Sequence, residues 1–389
     1  MGGWKKKMDK AKKLHRPSLD DWECDQLYKQ FPAFVERIVC NEEEHFKSFF
    51  LPHTNYSRRS LPVVLDTYHL SCDEFFDKYE GTETPCVIQN IPLEEDWPAV
   101  HKWTFEALER SDNALLDRRF KCGEDDDGDN ITVKLKYFLQ YMHHNKDDSP
   151  LYIFDSSFED DKTAQSILND YRVPKYFRND LFRYVSESRR PPYRWFLVGP
   201  ERSGTCIHLD PLATNAWNTL IQGKKRWVLF PPHVPKRVVK GKGLIGKDED
   251  DEAIHYFMFI LPRIKQRAAE RADHEEYRDF ACYEFTQNEG ETVFVPHGWW
   301  HAVLNLTDTV GITQNFVSPR NFDSCWKETR TGRKRMAYKW LCKLKEHERD
   351  LARRALEINK SDNFRMKYDP EEIKRREDME HRQKLQKVV

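Results

Sequence analysis

The pattern of apolar and polar positions changes twice along the chain. Up to about residue 60 the sequence is polar with scattered aromatics and reads as helical. Ser71-Cys72-Asp73-Glu74 forms a capping box ahead of an apolar run at 75–79, which predicts a helix there. Residues 85–89 read as a strand, and Thr104 reads as the cap of a short helix through Leu108. A turn between strands is expected at 124–128, a helix at 137–144 and a short buried strand at 151–154. From about Pro191 the texture becomes short apolar runs broken by Gly, Pro and Asn. They lie at 194–198, 206–210, 226–230, 292–295, 301–306 and 310–317, a spacing that predicts a β-sandwich or barrel. An insert at about 236–280, with an acidic run at 248–252, interrupts them. After Trp326 the strands stop. Residues 336–358 carry apolar positions at helical spacing, and the tail beyond Lys360 is very polar. The expected organisation is a polar helical region at 1–60, α/β elements at 61–160 packing on the strands, a β-rich portion at 161–326, and a basic helical segment at 327–389.

The 389 residues suffice for one large domain with additions or for two domains. With 24 Phe, 16 Tyr and 11 Trp the core should be aromatic, while 33% charged residues imply long solvated segments. The net charge of −1 excludes a strong overall steering field, but its distribution is uneven. Residues 327–389 hold 20 Lys+Arg against 12 Asp+Glu, and residues 1–20 hold seven against two, so both ends are basic and the middle acidic. Nine cysteines, an odd number without a C-x-x-C, suit a reduced compartment. No apolar signal core and no apolar run of about 20 residues is present, so a cytosolic or nuclear protein without a membrane span is expected. Lys5-Lys6-Lys7 with Lys10, Lys12 and Lys13 reads as a nuclear import signal or as a plain solvated end.

Two segments about ninety residues apart carry the candidate chemistry. The first is Ser203-Gly204-Thr205-Cys206-Ile207-His208-Leu209-Asp210. Alternate side chains of a strand share a face, so His208 and Asp210 are expected to point the same way. Alone, a His-x-Asp is weak: with 15 His in the chain, about one match arises by chance. His274-Glu275-Glu276 is a similar decoy in a charge-rich stretch and reads as solvated surface. The second segment places Gly290, Pro296, Gly298, His301 and Asn305 at the spacing of the second cupin motif. Pro296 and Gly298 shape a turn, and His301 opens the returning strand. His297 competes as third ligand, but between Pro296 and Gly298 its side chain is expected to be exposed, so His301 is preferred. Two histidines and one carboxylate are the facial ligand set of non-heme Fe(II) oxygenases, which leaves positions open for a cosubstrate and dioxygen. Ordinary cupins supply His, His and a further Glu. Here the carboxylate is Asp210, and no Glu follows in that stretch.

At these residues the chain resembles the JmjC-domain oxygenases that use 2-oxoglutarate. More narrowly it resembles their arginine demethylase and lysyl-hydroxylase branch, once called the phosphatidylserine receptor. The likeness covers about residues 60–345 and includes Phe120-Lys121-Cys122-Gly123-Glu124-Asp125, residues 147–157 and 190–196, residues 203–210 running on to Trp217-Asn218, and residues 290–305. The resemblance implies a mainly β fold with helical additions. Its core would be a double-stranded β-helix of the cupin or jelly-roll type, with N-terminal α/β elements and a C-terminal helical region. It implies Fe(II) held by catalytic His208, Asp210 and His301, with 2-oxoglutarate and dioxygen as cosubstrates. Lys225 would bind the distal carboxylate of 2-oxoglutarate, a charge-assisted pair, while Lys224 reads as surface. Asn218, Thr205, Tyr152 and Thr313 would hydrogen-bond the same cosubstrate, and Asn315, on the face of Thr313, would reach the iron pocket. Each of these is otherwise an ordinary satisfied core group. Trp195 would flank the substrate entrance. Glu252 matches a position that would meet a cationic substrate, the alternative being a solvated acidic loop.

The implied activity is hydroxylation of lysine side chains in Arg/Ser/Lys-rich RNA-processing proteins or histones, in the nucleus and also the cytoplasm. Demethylation of N-methyl-arginine is the alternative, and one iron site serves both. An RNA- or protein-binding scaffold using the basic ends is a further alternative, against which the complete triad and Lys225 argue. The helices after Trp326 would pair in a homodimer or brace the chain itself. Family members often end in a Ser-rich acidic tail, whereas this chain ends in a basic mixed segment, and residues 1–55 show little likeness.

Overall fold

The computed structural model describes residues 3–16, 46–50, 62–158, 162–185, 190–247, 249 and 252–386, with backbone alone for 46–50 and 380–386. Fourteen strands are described: β1 (Phe46–Phe50), β2 (Val63–Asp66), β3 (Cys86–Gln89), β4 (Arg119–Glu124), β5 (Asn130–Lys134), β6 (Ile153–Asp155), β7 (Arg194–Gly199), β8 (Gly204–His208), β9 (Asn215–Gln222), β10 (Lys225–Phe230), β11 (Ala281–Gln287), β12 (Thr292–Val295), β13 (Trp300–Asn305) and β14 (Thr309–Phe316). They form a five-stranded sheet in the order β1-β11-β10-β13-β8, a seven-stranded sheet in the order β2-β3-β12-β9-β14-β7-β6, and the hairpin β4-β5. The longer helices are α1 (Gly3–His15), α2 (Leu135–His143), α3 (Leu261–Glu270), α4 (Phe322–Gly332), α5 (Lys334–His347), α6 (Arg349–Ser361) and α7 (Pro370–Gln386). None of the described helices is long and apolar enough to cross a membrane. None of the seven described cysteines forms a disulfide.

The chain folds into two compact units that do not follow consecutive stretches. One comprises Met1–Tyr176, Arg194–Leu209 and Ala216–Gln314; the other comprises Phe177–Tyr193, Asp210–Asn215 and Asn315–Val389. In the first unit the two sheets share a core without closing into a barrel. Trp227, Leu229, Tyr283, Phe285 and Val303 of one sheet meet Val87, Ala216, Val293 and Val295 of the other. The alternate residues Val228, Phe230, Ala302 and Leu304 face the opposite way. They pack under the insert, through Val238, Val239, Ile254, Tyr256, Phe257, Ile260 and Ile264. The insert is thus a helical layer over the five-stranded sheet. With both faces covered, β10 is apolar from Trp227 to Phe230 without alternation. In the same unit α1 is fastened by Lys12 Nζ, which donates to both Asp147 carboxylate oxygens at 3.0 and 3.1 Å, and Tyr141 Oη donates to Asp147 at 2.6 Å.

Local expectations meet the structure at several points. Ser71 Oγ accepts from the Glu74 amide at 3.1 Å, and Thr104 Oγ1 accepts from the Ala107 amide at 3.2 Å, as the capping patterns predict. Phe46–Phe50 is a strand within the region read as helical, and it pairs antiparallel with β11. The expected features at 17–45 and 51–61 lie outside the described residues. Strands β9 and β11 are absent from the sequence reading because buried polar residues interrupt their apolar pattern. Each of those residues has a partner inside: Thr219 with Thr292 at 2.7 Å, Glu284 with Arg226 at 2.7 Å, and Gln287, whose Oε1 accepts from Trp227 Nε1 at 2.9 Å.

In the second unit the apolar stretch at 336–358 is two helices, broken at Glu348 (φ −137°, ψ 65°). Trp326, Trp340, Leu341, Leu344, Ala355 and Ile358 pack with Leu181, Phe182 and Val317 in one core. Trp326 Nε1 and Arg330 Nη1 both donate to Asn359 Oδ1, at 2.9 and 2.8 Å. The apolar faces of these helices are therefore covered within the chain.

Candidate metal centre and cosubstrate pocket

The two histidines are set by strand register. β13 pairs antiparallel with β8, and His301 stands directly opposite His208. Opposed residues share a face, and the two rings lie 4.2 Å apart between centroids. His301 shares the inward face of Val303 and is 5% exposed. His208 Nδ1 lies 2.8 Å from the Cys206 carbonyl oxygen, and His301 Nδ1 lies 3.0 Å from that of Trp299. A carbonyl oxygen accepts only, so each Nδ1 donates, which leaves Nε2 as the ring atom that can serve a metal. Gly290 (φ 80°) and Gly298 (φ 78°) make the left-handed turns on either side of β12 that return the chain to this position.

Asp210 is placed by a different device. Strand β8 ends at His208, because Pro211 has no amide hydrogen for a ladder. Asp210 sits at the N-terminal boundary of a short turn, Pro211–Ala213, and strand alternation does not position it. In that turn Leu212 (φ 58°) and Ala213 (φ 51°) are successive left-handed non-glycine residues. Each such conformation costs about 1–3 kcal/mol, a strain that persists only where surroundings over-determine it. Asn315 Nδ2 donates to Asp210 Oδ1 at 3.0 Å and to Thr214 Oγ1 at 2.9 Å. Asn315 therefore orients the carboxylate. The ligand atoms of His208, Asp210 and His301 all lie within 4.8 Å of one another. Two imidazoles, each with Nδ1 committed to a backbone carbonyl, and one carboxylate fit Fe(II) as a facial set.

His297 is not in that group. Its side chain is 13% exposed, not open to solvent as expected, and it faces Glu83 Oε1 at 3.6 Å. Burial lowers its pKa, opposed by the Glu83 charge. His274 lies exposed in a turn.

The cosubstrate candidates divide by environment. Lys225 is 1% exposed, whereas Lys224 is exposed. Lys225 Nζ donates to Tyr152 Oη and to Asn305 Oδ1, both at 2.9 Å. Asn305 Nδ2 in turn donates to Ser203 Oγ at 2.8 Å. With two neutral partners in a dry site, the ammonium is pushed down to about 7 by burial. Burial likewise pushes the Tyr152 phenol up. On β10 Lys225 stands opposite Asn305, four residues from Leu229, which stands opposite His301. That is about 13 Å along the ladder, on the same face.

Thr205 stands opposite Val303, after a bulge between the His301 and Val303 pairs. Strict alternation would turn Thr205 away from His208; the extra residue of the bulge restores it to the inward face. Asn218 is 8% exposed, and among the described residues its Oδ1 has no hydrogen-bond partner. Thr313 Oγ1 donates to the Trp217 carbonyl at 2.8 Å. Trp195 stands opposite Thr313 and packs on Phe154, with ring centroids 5.5 Å apart. Glu252 is taken up inside the chain. It pairs with Arg16 and accepts from Ser149 Oγ at 2.9 Å. The Ala253–His255 turn that follows it packs over Gly204, at the end of β8 remote from His208. Sequence reasoning left Ser203 and Thr214 without a role and gave Asn305 only its motif position. Two-residue steps from His301 along β13 would have pointed Asn305 into the pocket.

A family model described as a cupin-like domain matches residues 72–322. The bifunctional arginine demethylase and lysyl-hydroxylase psr-1 of Caenorhabditis elegans is 42% identical over 315 residues, covering 81% of this chain and 74% of psr-1. The arginine-specific demethylase JMJ22 of Arabidopsis thaliana is 33% identical over 65% of this chain and 45% of its own length. The 2-oxoglutarate and iron-dependent oxygenase JMJD4 of Danio rerio is 26% identical over 73% of this chain and 64% of its own. Both the matched span and the similarity to psr-1 take in the two segments that meet at His208 and His301, and the chain belongs to the cupin-like family, among its JmjC-domain oxygenases of the arginine demethylase and lysyl-hydroxylase type.

Proposed function

We propose that this protein is an Fe(II)- and 2-oxoglutarate-dependent dioxygenase that hydroxylates lysine side chains of protein substrates. The carrying observation is one inward face that presents His208 and His301 at one end and a buried, carboxylate-ready lysine at the other. When bound, Fe(II) with 2-oxoglutarate and dioxygen supplies oxidative decarboxylation coupled to C–H hydroxylation, releasing succinate and carbon dioxide. His208 and His301 would hold the metal through Nε2, and Asp210 through its carboxylate, aligned by Asn315. Lys225 would take the distal carboxylate of 2-oxoglutarate. Tyr152 and Asn305 hold its ammonium in place, and Thr205, Asn218 and Thr313 offer hydrogen bonds nearby. Trp195 would wall the substrate side. The apolar core around Trp227, Phe285 and Val303 excludes water.

Demethylation of N-methyl-arginine is the second reading, favoured by the activities for which psr-1 and JMJ22 are named. Hydroxylation of an N-methyl carbon gives a hemiaminal that loses formaldehyde, so the same residues serve both reactions. Arg/Ser/Lys-rich RNA-processing proteins or histones as substrates, RNA contacts through the basic ends and a nuclear site belong to the same proposal. They rest on the Lys5–Lys13 cluster and the charge of residues 327–389.

The test is Fe(II)-dependent succinate release with an Arg/Ser/Lys-rich peptide, read by mass spectrometry beside His208→Ala and Asp210→Ala controls. A gain of one oxygen on lysine, lost in the controls, is expected. Loss of a methyl from a methylated arginine would promote the second reading. Succinate no higher than in the controls would sink both.

A further inference from the structure

Asn321 occupies the N-cap position of α4, yet its side chain makes no capping bond to that helix. An N-cap asparagine ordinarily accepts from an amide of the first turn. Here Oδ1 turns back to accept from the Ser318 amide at 2.8 Å, and Nδ2 donates to the Ala213 carbonyl at 2.9 Å. The residue is 2% exposed, so both bonds are made away from water. Ala213 is the second of the two left-handed residues after Asp210. Leu212, the first, packs against the core of the α4–α6 helices. Thr214, next in line, donates its hydroxyl to the Pro211 carbonyl at 2.8 Å and accepts from Asn315.

We propose that Asn321 is a positioning residue of the metal centre, one that locks the strained 211–213 turn and thereby fixes where Asp210 presents its carboxylate. The proposal rests on the reading of Asp210 as a metal ligand. An amide is required at 321 because the position needs one acceptor and one donor on the same group. Aspartate keeps the acceptor toward Ser318 and sets a carboxylate against the Ala213 carbonyl. At a helix N-terminus aspartate is otherwise favourable, so Asn321→Asp separates the clamp from helix stability.

The experiment is a calorimetric titration of the metal-free full chain with Co(II), with the thermal midpoint of the metal-free protein measured alongside. Asn321→Asp is expected to weaken Co(II) binding about tenfold, the lower range for a group that orients a ligand, a loss larger than the fall in the metal-free midpoint accounts for. Saturating Fe(II) should then restore most of the turnover. If Asn321→Asp does not fold, Asn321→Ser, too short to reach Ala213, takes its place. Wild-type Co(II) affinity in the variant overturns the proposal, and so does a loss that merely tracks a lowered metal-free midpoint. Asp210→Ala separates the two levels. Unchanged Co(II) affinity there removes Asp210 as a ligand, whatever Asn321 does.

Discussion

The histidine ligands and the aspartate ligand are held by opposite means. His208 and His301 face each other across two paired strands, and each ring is fixed by a carbonyl two residues away in its own chain. Their placement follows from backbone register. Asp210 lies beyond the strand end, beside two left-handed residues, and is held by the side chain of Asn315. Its placement follows from a few side-chain hydrogen bonds that work against backbone preference. The register-set pair should therefore be insensitive to its neighbours, and the loop-set ligand sensitive to them.

The largest effect should come from the register-set side. His301→Ala is expected to remove succinate turnover altogether and to weaken Co(II) binding by about a thousandfold or more, since three ligands become two. Circular dichroism should show a retained fold; measurable turnover at saturating Fe(II) would break the comparison at its root. Next is Lys225, on the same strands. Lys225→Met should raise the KM for 2-oxoglutarate about a hundredfold, the scale of a lost buried charge pair.

Because burial depresses the Lys225 pKa to about 7, the folded protein binds fewer protons there than the unfolded chain between pH 7 and about 10.4. Stability of the cosubstrate-free protein should fall as pH drops through that window and level off below 7. Lys225→Met should flatten this slope and raise the thermal midpoint at pH 7. Cosubstrate affinity runs the other way. It should be greatest below pH 7, where the ammonium is already charged, and weaken above it by up to about tenfold per pH unit. A pH-independent affinity in the wild type would remove Lys225 from the carboxylate site.

On the loop-set side, Asn315→Ala is expected to weaken Co(II) about ten- to a hundredfold while leaving 2-oxoglutarate affinity at saturating metal near wild type. Equal damage to both would mean that it acts on the cosubstrate rather than on Asp210. The smallest effect is expected at Glu252. With its carboxylate paired to Arg16 and Ser149, Glu252→Ala should cost about 1 kcal/mol of stability at most. It should also leave kcat/KM for a lysine peptide within about twofold. A large rise in peptide KM would return Glu252 to substrate recognition.

What the sequence disclosed follows the same division. Period-two patterns and a turn with glycines at fixed offsets located β8, β13 and the histidines, because strand geometry converts spacing directly into direction. The link from His208 to Asp210 was legible as a pair but for the wrong reason, since Pro211 ends the strand between expectation and fact. Thr205 needed a bulge that leaves no sign in residue types. Strands β9 and β11 were hidden by Thr219, Glu284 and Gln287, whose partners are distant in sequence. The split at Glu348 was invisible because apolar spacing continues across it. The roles of Asn315 and Asn321 depend on which carbonyl or carboxylate lies within 3 Å, which spacing does not encode.

The fastening of α1 has a practical corollary for anyone trimming the protein. Asp147 is nearly sealed from water, with Lys12 as its cationic partner. Deleting residues 1–16 would strand a carboxylate in the interior with Tyr141 beside it. Removing one member of a buried pair costs about 3–5 kcal/mol. Asp147→Asn should recover much of that loss in the shortened chain. One lysine of the basic helix Gly3–His15 is therefore part of the interior.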